Sequence, residues 1–102
     1  MTTEISDHPE KSRYEVRVDG DLAGYAEYRL HADHITFTHT EMDDAYEGQG
    51  LGSKLSRAVL DRARDDGLAV FPACPFTARY IKRHPGPYLD LVPEEVREKY
   101  GL

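Results

Sequence analysis

Three glycines alternate at positions 48, 50 and 52 within YEGQGLGSKL, residues 46–55, ahead of a run with helical periodicity. Without Cβ atoms, Gly48, Gly50 and Gly52 let the backbone come close to a ligand and reach positive φ. A helix that begins here presents the unpaired N–H groups of its first turn and the positive end of its macrodipole, which together suit an anion. A pyrophosphate is the natural guest. The same glycines can also serve a tight strand-to-helix turn with no ligand at all.

Spacing separates the phosphate-binding patterns that compete for this stretch. A P-loop needs Gly-Lys-Ser/Thr, but Ser53 stands between Gly52 and Lys54. The dinucleotide fingerprint GxGxxG fails as well, because the spacing is GxGxG and the turn follows the third strand of a meander rather than opening a βαβ nucleotide fold. Two other residues could act on a ligand held there. Cys74 directly precedes Pro75, a cap-like position at a helix start where a thiol can become a nucleophile; a small buried hydrophobe beside a Pro-Cys-Pro bend is the other reading. His39 continues the inward set Ile35 and Phe37, so its imidazole should face the covered side, either as a proton acceptor or as a core histidine satisfied by backbone. Arg79, Lys82 and Arg83 give one helix a basic face, open to solvent or to phosphates. His8, His31, His34 and His84 are scattered, no His or Cys pair has metal-site spacing, and no metal is expected.

These residues are positioned by a simple order of elements. Tyr14, Val16 and Val18 alternate with Glu15 and Arg17 as a strand does, Asp19-Gly20 makes a hairpin turn, and Leu22, Ala26, Tyr28 and Leu30 form the inward set of a second strand. HITFTHT, residues 34–40, is a third strand. Leu51, Leu55, Ala58, Val59 and Ala63 then recur at helical spacing, and Gly67 stands where a positive-φ residue ends such a helix. LAVF, residues 68–71, is a short covered strand, so strand, helix and strand make a crossover to a parallel neighbour. A helix over roughly 75–83, a loop GPYLDLVP and a short terminal helix from Pro93 complete the chain, while polar residues 1–11 read as a frayed tail before a domain of residues 12–102.

With 102 residues the chain supports one core. Its net charge of −6 disfavours broad attraction to nucleic acid or anionic membrane. The single cysteine rules out an internal disulfide, and with no apolar run of spanning length and no basic-then-apolar leader the chain reads as cytoplasmic.

The turn and its surroundings resemble the GNAT (GCN5-related) acetyltransferase superfamily. Its acyl-CoA turn, Q/R-x-x-G-x-G/A, aligns with Glu47, Gly48, Gln49, Gly50, Leu51 and Gly52, with Glu47 departing from the preferred Gln or Arg. His39-Thr40, FPACPF at 71–76 and RHPGPYLDLV at 83–92 make the likeness closer to small single-domain members that lack the usual first helices, over Tyr14 to Val92. The resemblance implies a compact α/β fold, an antiparallel three-strand meander with a helix crossover to a parallel fourth strand and two short C-terminal helices. It further implies acetyl-CoA as co-substrate, with its phosphates on the amides of residues 48–53, its pantetheine along strand backbone near Thr40 and Met42, and Cys74 and His39 close to the thioester. An amine acceptor, left unidentified, and a monomer or small homo-oligomer complete that reading. Its alternatives are a CoA-binding regulatory module with little transferase activity and a nucleotide-phosphate binder without acyl chemistry.

Overall fold

The computed structural model describes residues 2–46 and 48–102. Five strands form one sheet in sequence order: β1 (Thr3–His8), β2 (Arg13–Val18), β3 (Asp21–Leu30), β4 (His34–Met42) and β5 (Ala69–Phe71). The first four run antiparallel. β5 lies parallel to β4, pairing Ala69, Val70 and Phe71 with His34, Ile35 and Thr36. A parallel neighbour requires a crossover, and α1 (Leu51–Asp65) supplies it. Three shorter helices follow: α2 (Pro75–Arg83), α3 (Pro85–Tyr88) and α4 (Glu94–Arg97). The family-like architecture expected from the sequence is therefore present, with an additional strand.

The periodicities account for the core. Leu51, Leu55, Val59, Leu60 and Ala63 lie on one face of α1 and are buried against Tyr14, Val16, Tyr28, Ile35, Phe37 and Val70 of the sheet. Each fully buried side chain of this kind is worth roughly 1.5–3 kcal/mol. The β2–β3 hairpin turns on Asp19 and Gly20 with φ of 51° and 90°, the double positive-φ geometry that Asp-Gly favours. The opposite sheet face is polar. There Glu15 is wholly covered by its partners, Arg13 at 2.6 Å and Arg17 at 2.9 Å, with His8 and Lys11 at 3.3 and 3.9 Å. Burial by itself would raise the Glu15 pKa, but the hydrogen bonds from the two arginines outweigh it and lower the value to about 2.

Three local expectations need correction. Where a frayed tail was expected, Thr3–His8 pairs along all of β2. Polar anchors hold it: Thr2 and Asp19 exchange two 2.8 Å hydrogen bonds, and the Tyr28 hydroxyl donates to Asp7 at 2.6 Å. Apolar side chains alone understate a strand whose stability comes from its ladder. In β3 the outermost members of the expected inward set, Leu22 and Leu30, are exposed; a bulge near Ala23 buries that residue and Gly24 instead. GPYLDLVP is helical rather than loop, because Pro85 opens α3 where no N–H is required and Arg64 grips the Pro87 carbonyl and Asp90. Among the described residues no helix is long and apolar enough to cross a membrane.

Candidate functional site

α1 begins at an unusual cap. Gly50 occupies the N-cap in the left-handed region, φ 72°, and no side chain caps the helix. Gly48 also has positive φ, 84°, so both glycines hold a backbone shape that residues with a Cβ resist. The first i to i−4 bond runs from the Lys54 N–H to the Gly50 carbonyl at 3.1 Å. The N–H groups of Leu51, Gly52 and Ser53 thus have no backbone partner among the described residues. They open on a cleft of about 440 Å³, bounded on this side by Gly48, Gly50, Leu51, Gly52 and Ser53. Met42, Asp43, Asp44, Tyr46 and Phe76 form the other wall.

Two glycines shape those walls from behind. A Cβ at Gly52 would strike the Phe76 ring, and one at Gly24 would strike the Met42 thioether and lie 2.6 Å from the Glu41 carbonyl. Gly52 is helical, without positive φ, so its missing Cβ makes room for Phe76 as well as leaving the backbone open to the cleft. The sequence reading gave Gly52 to ligand approach or to a tight strand-to-helix turn and missed this contact.

The strand end of the cleft depends on a bulge. Tyr28 pairs with Phe37 but Glu27 pairs with His39, leaving Thr38 as the extra residue. Before the bulge, Phe37 faces the core; after it, alternation is reset, so Thr40 and Met42 share the covered face with Ala26 and Gly24. His39 therefore does not face inward as the uninterrupted alternation predicts. Its side chain is 52% exposed, 3.8 Å from Glu41, and its ring lies 6.1 Å from that of Tyr25. Beyond Thr36, β5 no longer covers the edge of β4. The Asp43 N–H donates to the Ala23 carbonyl at 2.8 Å, so by alternation the main-chain groups of Thr40 and Met42 point away from β3, towards that open edge.

Cys74 stands at the fork between the two strands. Its N–H donates to the Phe37 carbonyl at 2.8 Å, it caps α2 in extended geometry without a side-chain bond, and only 3% of it is exposed. It does not line the cleft, nor does His39. Gln49 is exposed and outside the cleft lining, while its N–H makes a 3.4 Å turn bond to Tyr46. Glu47 lies outside the described residues. Sequence reasoning missed Tyr46, Asp43, Asp44 and Phe76 as wall residues; Phe76 follows the helix-opening Pro75 by one position, which was the available signal. Among the described residues no group of three or more His, Cys, Asp or Glu is placed to hold a metal ion.

The cleft is electrically divided: amides of α1 at one end, the carboxylates of Asp43 and Asp44 at the other. An open strand edge, a bulged β4 and a glycine-capped helix after it have the shape and polarity that suit a long ligand with an anionic end. The chain belongs to the GCN5-related N-acetyltransferase family, whose model matches residues 13–91. That family generally uses acetyl-CoA as co-substrate.

Among particular relatives, the chain is 35% identical to protein NATD1 of Homo sapiens over 57 residues, 55% of this chain and 50% of that protein. NATD1 of Gallus gallus is 35% identical over 57 residues, 52% of its length, and NATD1 of Xenopus tropicalis 30% over 88 residues, 82% of this chain and 81% of the relative. The matched segments span about half the length of the first curated relatives. The fold is similar to that of Ard1 from Thermoplasma volcanium, with a TM-score of 0.53 and 21% identity over 60% of this chain and 43% of that one.

Proposed function

We propose that the chain binds acetyl-CoA and transfers its acetyl group to an amine. The observation that carries this reading is the cleft onto which the amides of Leu51, Gly52 and Ser53 open, without a backbone partner among the described residues. The pyrophosphate lies on those amides, and pantetheine follows the open edge of β4 with the main-chain groups of Thr40 and Met42 as partners. Followed from the α1 amides past Met42 to Thr40, it carries the thioester towards the Thr38 bulge and the fork where Cys74 stands. The net charge of −6 and Glu41, 3.8 Å from His39, favour a cationic amine as acceptor. The amine nitrogen attacks the thioester carbonyl, the C–S bond breaks, and the departing CoA thiolate takes the proton that the amine loses. His39, beside the bulge on the other sheet face, is assigned as a relay for that proton, and Cys74 in the fork as a lining thiol or, in a covalent variant, the first acyl acceptor. The enzyme works in a reducing, cytoplasmic setting as a monomer or small homo-oligomer, with no nucleic acid or membrane partner.

One observation favours a second reading, a CoA-binding regulatory module: neither candidate proton acceptor lines the cleft. The test is acetyl-CoA turnover with a panel of polyamines and lysine peptides, followed by release of free CoA thiol. Thiol release dependent on the amine supports transfer; tight CoA binding with no release under any acceptor supports the module.

A further inference from the structure

Beyond Phe76 and Ser53, which line the glycine cleft, the same two residues line a smaller hollow of about 160 Å³ closed by Arg79, Tyr80 and Arg83. The two arginines are one helical turn apart on α2 and are exposed. Arg13, Arg17, Arg62, Arg64 and Arg97 each sit against a carboxylate. Among the described residues Arg79 and Arg83 have neither an ion pair nor a side-chain hydrogen bond, which is true also of Arg29 and Arg57; what sets Arg79 and Arg83 apart is that they line one hollow together. Helix polarity accounts for Arg83 in the last turn of α2, but gives no reason for Arg79 in its middle. Tyr80, stacked on His84 with centroids 4.4 Å apart at 18°, keeps the floor of the hollow rigid.

We propose that this hollow takes the 3′-phosphomonoester of the coenzyme, so that Arg79 and Arg83 select CoA over its 3′-dephospho form. The inference rests on the coenzyme reading above: a ligand with its pyrophosphate on the α1 amides needs only to cross Ser53 and Phe76 to bring a second anion to the arginines. A phosphomonoester carries nearly two charges at neutral pH, and guanidinium forks bind such oxygens in pairs.

The experiment is calorimetric titration of the full chain with CoA and with 3′-dephospho-CoA, repeated on Arg79→Ala/Arg83→Ala. The parent should prefer CoA by roughly ten- to a hundredfold, the equivalent of one or two charge-assisted hydrogen bonds. The double variant should lose that preference, binding CoA only as well as the dephospho form, whose own affinity stays within about twofold of the parent value. Both positions are exposed, so an unchanged melting temperature checks the fold. Equal binding of the two ligands by the parent overturns this inference alone, as does a variant that weakens both equally. Failure of the parent to bind either one overturns the coenzyme reading and this inference with it.

Discussion

α1 and α2 both begin beside the β4–β5 fork, yet their first turns are built for opposite purposes. α1 starts from a left-handed Gly50, carries no side-chain cap and turns its first amides onto an open cleft. α2 starts from Cys74, whose N–H is already committed to Phe37, and continues with Pro75, which has no N–H to offer. A helix dipole alone is therefore a poor guide to where a ligand binds: what separates the two is whether the first-turn donors are free and reachable. By that criterion the start of α1 suits an anion better than the start of α2, where Cys74 is a buried link between strand and helix.

The strongest challenge to this contrast is Gly52→Val. A branched side chain there meets Phe76 and narrows the cleft, so the fold should lose about 1–3 kcal/mol and CoA binding should become undetectable by calorimetry. Gly52→Ala paired with Phe76→Leu should recover part of the stability lost by Gly52→Ala alone, because the clash is with one side chain. Gly50→Val comes next. No atom lies within 4 Å of a Cβ at this position, so its cost is conformational, about 1–2 kcal/mol for a φ of 72°. CoA affinity should drop by roughly tenfold as the α1 start rearranges, and circular dichroism should show a folded chain.

At α2 the expectation is reversed. Cys74→Ala should leave CoA affinity within about twofold and change stability by about 1 kcal/mol or less. Intact mass after acetyl-CoA alone separates the two chemical routes: a gain of about 42 Da on the parent that is absent from Cys74→Ala establishes the covalent one. The smallest effect on binding belongs to Glu15→Gln on the polar sheet face, which should cost about 1–3 kcal/mol of stability and nothing in CoA affinity. Its folded pKa of about 2 lies below the ordinary 4.5, so the contribution is complete above about pH 4.5 and is lost as the pH falls towards 2. Urea melts across that range should show the parent losing stability that Glu15→Gln never had.

The order of the elements was legible because each announced itself locally: Asp19-Gly20 for the hairpin, the spacing of Leu51, Leu55, Val59 and Ala63 for α1, Pro75 for α2. The backbone shape of the glycine turn was legible for the same reason, since Gly48 and Gly50 both take positive φ. Long-range events left no such mark. Thr38 is an ordinary β residue, and only the pairing of Glu27 with His39 makes it a bulge that turns His39 outward and Thr40 and Met42 inward. The strand at Thr3–His8 depends on Tyr28 and Asp19 far along the chain, and the double role of Gly52 depends on a phenylalanine in another helix.

Backbone amide resonances report on the two helix starts separately, and a titration of isotopically labelled protein with CoA compares them in one experiment. If the coenzyme's phosphates lie on α1, the N–H signals of Leu51, Gly52 and Ser53 move downfield in step with ligand occupancy, as donors that acquire anionic acceptors do, while the Cys74 N–H, held by Phe37, shifts far less. Saturable CoA binding that leaves the signals of residues 51–53 in place, or that moves Cys74 in their stead, would contradict the assignment of the site to α1.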